Sequence, residues 1–244
     1  MGIKDHYVAS IKGAILSNSP NAKIVDVSHQ VKPFNVSEAA FYISSCYKDF
    51  PKGTVHIIGV DTEPIVNFSG TDGCFPSILE FDDHYFIAND NGFFGAFLQE
   101  NKFDKLWRID DVLSNPKFFK FPTKNMLVPI ASKIINGEAI NSFATPVEQF
   151  KNAFYQNAIV EKNLIKGNVI HIDSYGNWIV NVSKELFELN GKDVPFTIYF
   201  RRKDYYIDTI STTYNEVSQG ERVAIFNENN LLEIAINRGA NGSG

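Results

Sequence analysis

The sequence predicts an α/β N-terminal domain with a mainly parallel sheet over residues 1–155, followed by a small C-terminal all-β barrel over residues 160–244. Three observations carry this. Helical and buried-strand patterns alternate through the first half, the order that builds a parallel sheet covered by helices. After Gly167 the chain changes to short alternating strands broken by Gly, Asn and Asp, as in a compact all-β unit. Between the two, Glu138 to Lys166 is weakly periodic and marks the boundary.

Val8, Ile11, Ile15 and Leu16 line one face of a segment from about Lys4 to Ser17, which predicts an amphipathic helix. Ala39, Ala40, Ile43 and Tyr47 repeat that spacing behind Ser37 as the N-cap. Ile24 to Val27 and Val55 to Val60 are nearly continuous β-branched runs, suited to strands covered on both faces. Two β-rich runs around Asp82 and Asp83, from Ser77 to Ala88, predict a hairpin that ends at the Asn-Asp-Asn-Gly turn of Asn89 to Gly92. A helix from Met126 to Ile135, with Pro129 in its first turn, stops at Asn136-Gly137. In the second half Val169 to Ile172, Trp178 to Val182, Thr197 to Arg201, Tyr205 to Ile210, Val223 to Phe226 and Leu232 to Ile236 read as strands.

Composition narrows the function. The chain of 244 residues carries 23 basic and 28 acidic side chains, a net charge of −5, and so has no electrostatic reason to follow a phosphate backbone. Its densest basic cluster, Arg201 to Lys203, is answered at once by Asp204, and nucleic acid is not expected as a partner. No apolar stretch reaches the ~18 residues of a membrane span, and Met1 to His6 hold no apolar signal core. Cys46 and Cys74 are too few for a disulfide scaffold and lack zinc-site spacing, so the expected compartment is the cytoplasm. His6, His29, His56, His84 and His171 show no metal-ligand spacing, and no P-loop or dinucleotide fingerprint is present. A metal site is therefore not expected, and phosphate cradling is unsupported.

Two polar clusters remain. Val60-Asp61-Thr62-Glu63 stands at the carboxyl end of an apolar strand, where open parallel sheets bind ligands, so its carboxylates could orient water or a sugar hydroxyl. Asp173-Ser174-Tyr175-Gly176-Asn177-Trp178 sets an acid, an amide and two aromatics in one turn, a set able to grip a flat hydrogen-bonding ligand. Taken alone, the first reads equally as a solvated loop and the second as an ordinary hairpin turn.

The order of several short segments adds a resemblance. Gly2-Ile-Lys-Asp5-His-Tyr7-Val with Lys12-Gly13, Ile24-Val-Asp26-Val-Ser-His29 with Pro33-Phe34, and Ala39-Ala40 come first. Phe50-Pro-Lys-Gly-Thr-Val-His56, Val60-Asp61 and Asp90-Asn91-Gly92 follow, then Ile172-Asp173-Ser-Tyr-Gly176-Asn177 and Leu232-Glu-Ile-Ala235-Ile-Asn237. Over nearly the whole chain these resemble the S-adenosylmethionine hydroxide adenosyltransferases, hydrolases related to the bacterial fluorinase and chlorinase. The resemblance implies a homotrimer with sites between subunits. It also implies a nucleoside substrate, S-adenosyl-L-methionine, whose methionine is displaced by water at the ribose 5′ carbon to give adenosine, with no metal or second cofactor. Asp61 then corresponds to the acid beside the ribose and the attacking water, Asp173 to the acid on the methionine ammonium, and Asn177 to the amide reading adenine. Tyr214 and Trp178 would wall the adenine, and Ala235 to Asn237 would offer backbone groups to its edge.

Four departures accompany the resemblance. Met1-Gly2 stands where the family ends a strand in Thr-Asp-Phe-Gly, which suggests a reading frame begun at an internal Met and the loss of a ribose clamp. The Gly-Val-Gly-Thr and Arg after the first acid are replaced by Thr-Glu-Pro-Ile-Val-Asn-Phe68, leaving Glu63 to substitute for the lost groups. The Phe-His-Gly-type turn reads Phe121-Pro122-Thr123, with Thr123 where the fluorinase has a hydroxyl residue. Glu228 replaces a Ser near the substrate carboxylate, and two like charges ~4 Å apart would repel by ~4 kcal/mol at an effective dielectric near 20. These departures leave three alternatives open: a catalytically weak or inactive binder of the same ligand, a halogenase, and a hydrolase of another ribosyl substrate using Asp61 and Glu63 as a pair.

Overall fold

The computed structural model describes residues 2–65, 73–111, 115–152, 157–191, 194–200 and 205–239. Phe68, the Arg201 to Asp204 cluster and the Gly-rich end beyond residue 239 lie outside the described residues. The chain divides into two compact units, Met1–Tyr155 and Gln156–Gly244.

In the first unit, α1 (Tyr7–Asn18) buries Ile11 from the predicted face, while Leu16 remains 45% exposed. α2 (Val36–Cys46) buries Ala39, Ala40 and Ile43, with Tyr47 buried just beyond it. Its cap is Asn35 rather than Ser37: Asn35 Oδ1 accepts the Glu38 N–H at 3.1 Å, satisfying an open donor of the first turn. β1 (Val55–Ile57) is followed by the hairpin of β2 (Pro76–Phe81) and β3 (His84–Asn89). Asp82 and Asp83 close that hairpin with φ of +52° and +61°, the left-handed pair that matches strand twist in a two-residue turn. α3 (Phe93–Leu98), β4 (Lys105–Arg108), α4 (Val128–Ile135) and β5 (Thr145–Pro146) complete the unit. A π-helical turn, Thr123–Leu127, leads into α4, Pro129 lies in the first turn of α4, and Gly137 at φ +79° ends it.

The sheet order is β1-β3-β2-β4-β5, and only the β1–β3 pair is parallel among the described strands. The sheet is therefore mixed, which corrects the mainly parallel expectation. The hairpin brings antiparallel pairing to the middle of the sheet, and Ile24 to Val27 joins no ladder among the described residues, with Val25 66% exposed. A β-branched run becomes a strand only where a neighbouring edge accepts it. Side chains alternate across the sheet: Leu79, Phe86 and Ala88 pack with residues of α2 and α3, and Ile78, Ile87 and Trp107 with Met126, Leu127 and Ile130.

The second unit is β-rich. β6 (Ile159–Glu161) and β7 (Leu164–Lys166) form a hairpin, followed by β8 (Val169–Ile172), β9 (Trp178–Ser183), α5 (Lys184–Gly191), β10 (Ile198–Tyr199), β11 (Tyr206–Ile207), β12 (Arg222–Phe226) and β13 (Leu231–Ile236). All six predicted strands are present; the β6–β7 hairpin falls in the stretch read as a boundary. β12-β13-β9-β8 is an antiparallel sheet, and β10–β11 pair with each other. No closed barrel forms among the described residues, which corrects that expectation. Closure needs one continuous ladder, and two-residue strands give β10 and β11 too little edge to bridge the larger sheet.

One buried pair ties stability to pH. His56 on β1 and His84 on β3 are both buried, with His56 Nε2 3.3 Å from His84 Nδ1 and the His56 ring stacked on Phe86 at 4.8 Å. Burial, then the neighbouring His84, lowers the His56 pKa from 6.5 to about 4. The folded protein thus refuses a proton that the unfolded chain accepts below pH ~6.5, so stability is full above that pH and falls as pH drops toward ~4. A shift of this size corresponds to roughly 3 kcal/mol. Urea midpoints between pH 7.5 and 4.5 should fall more steeply for the wild type than for His56→Phe, which keeps the aromatic packing without the titrating ring.

Candidate functional site

β1 and β3 lie in parallel register, Val55 beside Tyr85 and Ile57 beside Ile87, and the Ile58 N–H extends the ladder to the Ile87 carbonyl at 2.9 Å. Parallel pairing brings two chain exits to one end of the sheet: the loop 60–63 leaving β1 and the turn 89–92 leaving β3. The second exit holds the first. Asn91 Nδ2 donates to the carbonyls of Val60 at 3.2 Å and Asp61 at 2.8 Å. Asn89 Nδ2 donates to those of Asp61 at 3.4 Å and Glu63 at 3.0 Å. Asn91 Oδ1 in turn accepts the Phe93 N–H at 3.3 Å, tying the loop to the start of α3.

Held in this way, Asp61 adopts φ +50°, a left-handed conformation that Asp tolerates better than most residues at a cost of about 1 kcal/mol. Asp61 and Glu63 are both exposed. Thr62, between them, turns its hydroxyl to within 3.3 Å of that of Thr123, which is buried. Phe121 is half-buried and meets Tyr7 edge-on at 5.5 Å, and Pro122 caps the π-helical turn. The structure thus brings the loop of Asp61 against the Phe121 to Thr123 segment. Asn89 Oδ1 is buried without a hydrogen-bond partner, and burial raises the pKa of the neighbouring Asp90, whose carboxylate accepts the Lys151 N–H at 3.0 and 3.1 Å.

In the second unit a polar cluster forms around Glu233. Asp173 Oδ1 accepts the N–H groups of Tyr175 at 2.8 Å and Asn177 at 2.9 Å, and Oδ2 accepts Asn177 Nδ2 at 3.1 Å. Asn177 Nδ2 also donates to Glu233 Oε1 at 3.0 Å, and the Tyr214 hydroxyl donates to the same oxygen at 2.5 Å. Burial, followed by the hydrogen bond to Glu233, pushes the Tyr214 phenol well above the usual tyrosine range.

Other predicted residues stand apart from this cluster. Adjacent strand residues point to opposite faces, so Trp178 turns away from Asn177 and packs against Phe200 at 6.0 Å. Ala235 is buried opposite Val223 inside the β12–β13 ladder. Asn237 donates its N–H to the Glu221 carbonyl at 2.9 Å, accepts from Gly220 at 2.8 Å and gives Nδ2 to the Val217 carbonyl at 2.7 Å. Glu228 is exposed in the β12–β13 turn, beyond Leu231, whereas Asn177 follows the other end of β13. A cavity of about 1390 Å³ lies against the apolar face, lined by Trp178, Val180, Phe187, Leu232 and Ile234, and reaches Asn177 at one edge.

Sequence reasoning missed three residues as parts of the site. Asn89 and Asn91 were read as turn formers, although an Asn-Asp-Asn-Gly run at a strand end also supplies side-chain amides to a neighbouring loop. Glu233 carried a plainer signal, a charge in the middle of the apolar strand Leu231–Ile236. Among the described residues, no group of three or more His, Cys, Asp and Glu could hold a metal ion, and no helix is long and apolar enough to cross a membrane.

This geometry, a strand-end acid in a mixed sheet followed by a β-rich unit with a polar turn, agrees with comparison to known proteins. Residues 1–144 match the SAM hydroxide adenosyltransferase N-terminal domain and residues 167–242 the corresponding C-terminal domain. The chain belongs to the SAM hydroxide adenosyltransferase family. It is 26% identical over 193 residues to the (R)-S-adenosyl-L-methionine hydrolase of Methanocaldococcus jannaschii, covering 75% of this chain and 65% of the relative. With the protein of the same name from Thermus thermophilus it shares 22% over 252 residues, covering 98% and 90%. A crystal structure of an uncharacterized conserved protein from Thermotoga maritima superposes with a TM-score of 0.84 at 26% identity, covering 98% of this chain and 90% of that one.

Replacing Asn91 by Ala removes three hydrogen bonds that hold the Asp61 loop. The expected loss is about 1–3 kcal/mol of stability in urea denaturation, together with faster amide exchange at residues 61–63 relative to the sheet.

Proposed function

We propose that the protein hydrolyses S-adenosyl-L-methionine to adenosine and L-methionine. The match of both units, in order, to the two domains of one family carries this reading. Two relatives over most of the chain are named as hydrolases of the (R) form of that compound, so the (R) sulfonium is the proposed substrate. Water attacks the ribose 5′ carbon as the carbon–sulfur bond breaks. The bonding pair leaves on sulfur, which becomes the neutral thioether of methionine, and the proton passes to Asp61 or to solvent. Asp61, presented at a strand end on an anchored loop, orients the water, and Glu63 is its nearest carboxylate in sequence.

Asp173 closes its own turn and grips Asn177, which favours a role at the base over one at the methionine ammonium, since these two groups occupy opposite ends of the ligand. The remaining parts of the proposal are a homotrimer with the nucleoside held between subunits, the cytoplasm as its compartment, and catalysis without metal or second cofactor. A second reading rests on the hydroxyl pair of Thr62 and Thr123, which could hold a halide in place of water.

The test is incubation of the folded chain with each sulfonium epimer and chromatography of the products, with and without chloride or fluoride. Adenosine and methionine in equal amounts are expected from the (R) form. A 5′-halo-5′-deoxyadenosine product would establish the second reading, and unchanged substrate would leave only binding. Asp61→Asn keeps the side-chain size and the tolerance of φ +50°, and should lower the rate roughly 100-fold or more without changing the melting temperature.

A further inference from the structure

Cys74 and Lys151, 77 positions apart, meet within the first unit, where Lys151 Nζ donates to Cys74 Sγ at 3.3 Å. The pair closes a ring of contacts. Cys74 exchanges two backbone hydrogen bonds with Ile65, at 2.7 and 3.0 Å, at the root of the loop that carries Asp61 and Glu63. The next residue, Phe75, accepts the Asp90 N–H at 2.8 Å. The Asp90 carboxylate accepts the Lys151 N–H with both oxygens, and the Lys151 side chain returns to the sulfur. Backbone groups take part in every link but the last, so the amine and the thiol are held together rather than meeting by chance. Cys74 is 7% exposed and in no disulfide, and the proposed hydrolysis uses neither side chain.

We infer that Cys74 and Lys151 form a reversible covalent crosslink, a sulfenamide, when hydrogen peroxide oxidises the thiol. The thiolate is the form that attacks peroxide. Its sulfur takes one oxygen as the O–O bond breaks, the other oxygen leaves as water, and Cys74 becomes a sulfenic acid, oxidised by two electrons. Lys151 then gives a proton to solvent, and its nitrogen attacks the sulfur. The S–N bond forms as the S–O bond breaks, and the oxygen leaves as a second water. Thiol, amine and one peroxide thus become one sulfenamide and two waters, with no further oxidant. A sulfenic acid condenses with a thiol or a nitrogen within reach, and the Lys151 nitrogen is already in contact. The flexible four-carbon stem of lysine supplies the movement from contact to bond. A dithiol returns one hydrogen each to sulfur and nitrogen as it closes to a disulfide, which restores both side chains. While it lasts, the crosslink joins the root of the Asp61 loop to the residue that Asp90 holds.

The test titrates the folded full chain with hydrogen peroxide, digests it without reductant and reads the peptides by mass spectrometry. The peptides of Cys74 and Lys151 should appear joined, lighter than their sum by two hydrogens, and should separate again in dithiothreitol. Cys46 is the internal comparison and should form no such link. Its Sγ donates to the Tyr42 carbonyl at 3.2 Å, and burial, followed by Asp49, pushes its thiol up. Closing so long a loop should also raise the urea midpoint of the oxidised protein, an increase that dithiothreitol removes. Lys151→Arg keeps the positive charge on a guanidinium that does not lose its proton. In that variant Cys74 should stop at the sulfenic acid, captured by dimedone, and the increase in midpoint should vanish. The wild-type digest decides the matter without a variant. Cys74 oxidised with Lys151 unlinked, Cys74 left as a thiol after Cys46 has oxidised, or a joined pair that keeps the peroxide oxygen would each overturn the inference.

Discussion

The parallel register of β1 and β3 is the constraint on which the first unit's chemistry depends. Both strands end at the same level, so the loop carrying Asp61 and the turn carrying Asn89 and Asn91 emerge side by side. Side-chain amides then take the place of a further backbone ladder, binding the carbonyls of Val60, Asp61 and Glu63. Four such bonds outweigh the about 1 kcal/mol that the left-handed backbone of Asp61 costs, and they fix where its carboxylate begins. An antiparallel partner would have sent the second exit to the opposite end of the sheet and left this loop unsupported.

The second unit relies on a different device, a carboxylate buried in a strand. Glu233 sits between apolar neighbours, and an unpaired charge there would cost several kcal/mol. Its donors are Tyr214 and Asn177, so the cost is offset only if both side chains remain in place. A buried charge with few partners gives specificity of position more than stability.

Elements whose side chains alternate between core and solvent were legible in the sequence. The hairpin around Asp82 and Asp83, α4 with Pro129 in its first turn, and all six strands of the second half follow from periodicity and turn chemistry alone. Ile24 to Val27 carries the pattern of a buried strand but joins no ladder among the described residues, because the pattern records what a segment can do, while pairing depends on a neighbour that the local sequence does not contain. Asp61 and the Asp173 to Asn177 turn do stand beside strands, as the local sequence predicts. Trp178 and Asn177 take opposite faces because the register of β9 with β13 sets Ile234 beside Trp178 and Glu233 beside Ile179. Register is a long-range property, and no window of sequence around Trp178 specifies it.

The resemblance sets Pro122 and Phe68 where the family carries a His and an Arg, and such a change bears differently on displacement at a sulfonium than on most hydrolyses. Ester or amide cleavage needs a group to protonate the leaving atom and donors to hold an oxyanion, so losing a titrating side chain removes part of the transition state's support. A sulfonium already carries the positive charge that departure requires, and it leaves as a neutral thioether needing no proton. What the site must supply is an approach line for water opposite the carbon–sulfur bond and a dry enough surrounding to keep that water poorly solvated. A loop held by side-chain amides, as Asn89 and Asn91 hold the loop of Asp61, gives rigidity without titrating groups. Pro122, as the N-cap of the π-helical turn, fixes the backbone before Thr123, whose hydroxyl meets that of Thr62.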